Sequence, residues 1–145
     1  MSLQGPVLAA IDLTATADET LRQASAIAVG LEARLIVCHI LPEAFRVRML
    51  FPHSAVPDFG TQAAFEGRAR EAVDGQVIAA TGRAKGSFDV RLDSGSAHGG
   101  ILEQAERVDA GLVVVGPGSV AARVARYARC PVLVARPSPH GCVLG

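Results

Sequence analysis

The chain has no charge excess, no long hydrophobic run, no paired set of cysteines and only one lysine. Each absence removes a class of function. Its 14 basic and 14 acidic residues balance, whereas a nucleic-acid or acidic-membrane binder ordinarily carries a basic surplus, so neither partner is expected. No apolar run approaches the roughly 18 residues that cross a bilayer, so no transmembrane helix is expected. The stretch Met1-Ser2-Leu3-Gln4-Gly5-Pro6 has no basic region and no long apolar segment. No signal peptide is therefore expected, and the expected location is the cytoplasm. Cys38, Cys130 and Cys142 are odd in number and widely spaced, which is no disulfide framework and fits reduced, non-catalytic thiols. His140-Gly141-Cys142 finds no second pair to complete a zinc site. The lone lysine, Lys85, does not stand in a Gly-rich loop ending in Gly-Lys-Ser or Gly-Lys-Thr, so the Walker phosphate loop is absent.

What remains is an apolar, foldable chain. Its 145 residues are 50% hydrophobic with positive mean hydropathy, enough for one domain, 1–145, with a real core. Val7-Leu8-Ala9-Ala10-Ile11 reads as a buried strand, with Asp12 at its end. Thr16 and Glu19 have capping-box spacing, and Leu21, Ala24, Ala28 and Leu31 then repeat at helical intervals up to a stop near Gly30. A second strand runs from Arg34 to Ile40, ended by Pro42. Residues 42–60 hold three prolines and three phenylalanines and read as a long irregular loop, either folded over a site or a surface excursion. Phe65, Ala69, Val73, Val77 and Ala80 mark a helix starting near Thr61. Phe88 to Leu92 is a short strand, Ser94 to Gly100 a Gly-rich turn, and Ile101, Leu102, Ala105 and Val108 the next helix. Leu112 to Val115 is a strand, 119–129 a helix, and Pro131 to Ala135 the last strand.

This alternation predicts a three-layer α/β/α domain with a parallel five-stranded sheet. Ligands of such sheets bind beyond the carboxyl ends of the strands, at the switch point. Asp12 and Gly116 both stand at such ends, and they converge if the first and fourth strands are neighbours. The turn Gly116-Pro117-Gly118-Ser119-Val120 opens directly into a helix. Unpaired amides and the helix dipole favour an anion there.

Over nearly its whole length the chain resembles the universal stress protein family (UspA-like). The likeness rests on Asp12 after an apolar first strand, Cys38-His39-Ile40 closing the second, the Ser94-Gly95 turn, Val-Val-Gly followed by Gly-Ser-Val-Ala, and Cys130-Pro131-Val132 introducing the last strand. The resemblance implies strand order 3-2-1-4-5, an adenine-nucleotide α-hydrolase-like fold, and a dimeric, non-enzymatic protein of stress response or regulation acting through protein partners. It also implies that Asp12 and His39-Ile40 would hold adenine and ribose, with Val115, Gly116, Gly118, Ser119 and Val120 at the phosphate end. Asp12 fits equally well as a polar group bonding the turn amides. Ser119 is expected to cap its helix or to meet a single phosphate.

The family's nucleotide-binding pattern is Gly, two residues, Gly, nine residues, then Gly-Ser or Gly-Thr. Here only Pro117 separates Gly116 from Gly118, so the loop is shorter by eleven residues. A phosphate chain needs several converging N–H groups, and proline has none. Each hydrogen bond to a charged group contributes about 1.5–3 kcal/mol, so losing two or three weakens binding by roughly 10²- to 10⁶-fold. No tight cofactor is expected, and residual AMP or ATP binding stays open. The alternative is a module that retains AMP, adenosine or another small adenylate.

His39 lies among apolar residues and reads as a strand-end histidine. His98 sits near the same sheet edge, without a nucleophile placed beside it. Arg123, Arg126 and Arg129 form a helix stripe of the solvated or partner-pairing kind. The last strand, with Pro131, Val132, Leu133, Val134, Ala135 and Arg136, reads as an apolar edge suited to pairing with a second copy. The family likeness implies the same homodimer.

Overall fold

In the first strand, β1 (Val7–Ile11), every residue is buried, because helices cover both of its faces. Val7, Ala9 and Ile11 point into one core cluster, and Leu8 and Ala10 into the other. That two-sided burial is why the strand is continuously apolar instead of alternating. A computed structural model describes residues 3–41 and 62–137. The 42–60 loop expected from the sequence, Thr61 and Cys142 lie outside those residues.

After β1 come α1 (Ala17–Gly30), β2 (Leu35–Leu41), α2 (Gln62–Thr81), β3 (Asp89–Ser94), α3 (Ala97–Arg107), β4 (Leu112–Val115), α4 (Ser119–Tyr127) and β5 (Val132–Val134). The sheet is five-stranded, in the order β3-β2-β1-β4-β5, and all its pairings are parallel. Ala10 is level with Cys38 of β2 on one side and with Val115 of β4 on the other. Helices α1 and α2 pack against each other on one face of the sheet, and α3 and α4 on the other. Val73 and Val77 of α2 are fully buried, and each contributes about 1.5–3 kcal/mol by leaving water.

Several sequence-based expectations need correction. The Thr16–Glu19 capping box does not form. Thr16 has helical backbone angles and no side-chain cap bond. Its hydroxyl pairs with that of Thr14, and Glu19 binds Arg22 and Gln23. The last helix ends at Tyr127, not Arg129, and Arg129 leaves it to pair with Glu106 at 3.4 Å. β5 spans only Val132–Val134, so Pro131, Ala135 and Arg136 flank the strand. β3 runs two residues beyond Leu92, to Ser94. There, buried Gln104 of α3 accepts from Arg91 and donates to Asp93 at 3.1 Å, tying α3 to the edge strand.

Candidate functional site

Parallel strands place all their following helix N-termini at one end of the sheet. At that end a cleft of ≈ 370 Å³ opens beyond β1 and β4. β1 leads into α1 on one face and β4 into α4 on the other. This divergence of neighbouring connections is the switch-point crevice of open α/β sheets.

The cleft brings together Asp12, Ile40, Val115, Gly116, Gly118, Ser119 and Val120. His39 is not among its lining residues. Successive residues of a strand face opposite sides, so Cys38 and Ile40 reach the cleft while the buried His39 ring turns away. Its Nδ1–H donates to the Ile11 carbonyl at 2.9 Å, the last carbonyl of β1. His98, half-buried in the first turn of α3, does not line the cleft either.

Asp12 Oδ1 accepts from the Thr14 amide at 3.0 Å and the Thr14 hydroxyl at 2.6 Å. This is the local side-chain turn expected of an aspartate after a strand. Its Oδ2 makes no hydrogen bond among the described residues. Gln76 of α2 braces the turn from outside, donating to the Thr14 carbonyl at 2.8 Å and to Asp18 at 3.0 Å.

The three helices at the cleft differ in how they begin. The α1 start is closed by Thr14 and Ala15 carbonyls, which accept from Ala17 and Asp18. The α3 start is capped by Ser96, whose side chain accepts from Gly99 and whose carbonyl accepts from Gly100. α4 has neither. Its cap residue is Gly118, at φ 141, not Ser119 as expected from the sequence, and it makes no side-chain cap bond. A glycine cap brings no oxygen to its own helix. Among the described residues, the Gly118, Ser119, Val120 and Ala121 amides donate to no other backbone group. These donors open on the cleft that Gly118, Ser119 and Val120 line.

The remaining walls include residues that the sequence did not assign to the site. Thr16 enters from the turn before α1, Ala17 and Thr20 from α1, and Ala97 and Ile101 from α3. Thr20 is 2% exposed and lies on the inward face beside Ala17, Leu21 and Ala24. A hydroxyl within an apolar stripe was the signal available in the sequence. Gly100 lets α3 approach the sheet here. A Cβ at that position would lie 2.7 Å from Cδ1 of Ile40, so the missing methyl sets where Ile40 enters the cleft. Cys38 is fully buried, and desolvation, with the Asp93 charge adding to it and Arg91 opposing, pushes its thiol up to about 12.

A larger, more open groove of ≈ 720 Å³ lies along the β3 edge and includes Arg34, Arg70, Lys85, Arg91 and Arg107. Its guanidinium groups are already partnered. Arg34 pairs with Asp89, Arg107 with Glu103, Arg70 with the Val90 carbonyl and Arg91 with Gln104. The smaller cleft is the candidate site, because its donors are unpaired.

The description of the Universal stress protein family matches residues 5–117. The chain belongs to that family. A family protein from Burkholderia pseudomallei is 26% identical, with a TM-score of 0.64 over 90% of this chain and 94% of that one. A universal stress protein in complex with cAMP is 24% identical, TM-score 0.64, over 92% and 97% of the two chains. The Archaeoglobus fulgidus protein in complex with dAMP is 22% identical, TM-score 0.63, over 92% and 99%. At that identity the last two show the shared fold. No curated protein sequence matches this one. In this universal stress protein the family match stops at Pro117, inside the turn that precedes α4.

Proposed function

We propose that this is a cytoplasmic, non-enzymatic stress-type protein whose cleft takes an adenylate bearing one phosphate and holds ATP weakly. The observation that carries this reading is the uncapped start of α4, whose unpaired amides open on a formed ≈ 370 Å³ cleft. Such a terminus accommodates one anionic group. The volume lies near the lower end of small-molecule sites, which run from about 300 to 1,000 Å³. Pro117 supplies no donor, and the turn is too short to wrap a phosphate chain. Apolar Ile40, Ile101 and Val115 offer the surface a base requires. Relatives of this fold that hold cAMP and dAMP support the same ligand class.

Catalysis has little support at this site. Among the described lining residues only Asp12 and Cys38 are titratable. Asp12 is engaged with Thr14, and the Cys38 thiol stays protonated at neutral pH. Among the described residues no further strand pairs with β5, which supports a homodimer through Pro131 to Arg136, with protein partners engaged by the dimer.

Calorimetric titration of AMP and ATP tests the reading. AMP is expected to bind at least tenfold more tightly than ATP. Sub-micromolar ATP binding would overturn the weak-ATP claim. Failure of both nucleotides to bind would leave a stress protein acting through protein contacts alone.

A further inference from the structure

We propose that Thr20 is a ligand-binding residue, its hydroxyl donating to the anionic group seated on the Gly116–Ser119 turn. The inference rests on the cleft being a nucleotide site and adds a donor that the family pattern does not supply. Thr20 belongs to α1, on the opposite face of the sheet from the α4 amides. It nevertheless lines the same cleft. A Cβ placed on Gly116 would lie 3.4 Å from the Thr20 Oγ1, so the hydroxyl stands against the first residue of the turn.

Two facts fix what that hydroxyl is doing. A helical threonine ordinarily returns its hydroxyl to the carbonyl one turn back, as Thr81 does to Val77 at 2.6 Å. Thr20 makes no such bond, nor any other among the described residues, although the residue is 2% exposed. No described buried polar side-chain atom is both sealed from solvent and without a partner. The Thr20 hydroxyl, having no protein partner, is therefore reached through the cleft. A hydroxyl that no protein group satisfies is left to bond whatever enters the cleft. A ligand oxygen at the turn is in place to accept from it. One donor from α1 then partly offsets the amides that the short turn lacks, and the anion is held from both sides of the sheet.

The test uses the full chain and three variants of one side chain. Thr20→Val keeps the shape and removes the hydroxyl, and Thr20→Ser keeps the hydroxyl. In calorimetry Thr20→Val is expected to lower AMP affinity about tenfold while leaving adenosine affinity unchanged, and Thr20→Ser is expected to stay near wild type. Because the hydroxyl has no protein partner, the ligand-free Tm of Thr20→Val is expected to equal or exceed that of wild type. Equal AMP affinity for wild type and Thr20→Val overturns the proposal while the nucleotide site stands. An equal loss for AMP and adenosine also overturns it, since the hydroxyl would not be reading the phosphate. Should Thr20→Val fail to fold, Thr20→Ala with the same two ligands gives the same comparison. If wild type binds no AMP, the nucleotide reading itself falls, and this one with it.

Discussion

Cys38 shows how one buried atom can make the molecule sensitive to alkali. Its thiol titrates near 12 in the folded chain, against an ordinary value of 9.0. Below pH 9 the thiol is neutral in both states and its contribution is intact. Between about 9 and 12 the unfolded chain gives up a proton that the folded chain keeps, so stability falls as pH rises, at most by about 1.4 kcal/mol per pH unit. Urea midpoints measured from pH 8 to 11 are expected to drop, and Cys38→Ala is expected to lose that part of the slope. An equal slope in the variant would assign the drop to other groups. The sequence already placed Cys38 in a strand core, because it ends the apolar run Leu35-Ile36-Val37-Cys38. His39 was harder to place. Which face a strand-end residue takes depends on register, and one step along β2 moves a side chain from the cleft to the opposite core.

At the scale of elements, helix starts were the least legible feature. A threonine three residues ahead of a glutamate predicts a capping box, yet Thr16 and Glu19 each found closer partners. Ser96 is a side-chain cap that the pattern did not single out, and it holds the start of α3 with a bond to the Gly99 amide at 3.3 Å. Ser96→Ala is expected to destabilise the fold by about 1 kcal/mol in urea denaturation. It should leave nucleotide affinity nearly unchanged, because Ser96 does not line the cleft. A large affinity loss would mean that the α3 start matters to the site more than its geometry suggests. The strands were more legible. Their apolar runs are long, dense in β-branched residues and buried on both faces, so local preference and tertiary burial agree.

At the scale of the whole molecule, element alternation predicted a parallel sheet, and family resemblance supplied the order in which its strands lie. Spacing alone could not order them, because the partner of β1 on its far side, β4, is distant in sequence. The two edges of the sheet differ. On β3 an exposed arginine, Arg70, occupies the Val90 carbonyl at 2.8 Å, whereas β5 presents a short apolar strand. A side chain on an edge carbonyl discourages strand addition there, so pairing is expected through β5. Light scattering at micromolar concentration should give twice the 15.0 kDa chain mass, and a clean mass near 15.0 kDa would sink the dimer. The position of β1 between β2 and β4 also sets when the cleft can exist. Ala10 and Val115 stand side by side in register on neighbouring strands and both line the cleft, so a ribosome completes the β1 part of the crevice early and the β4 part only after most of the chain has emerged. No nascent or C-terminally shortened chain ending before Val115 can own this crevice.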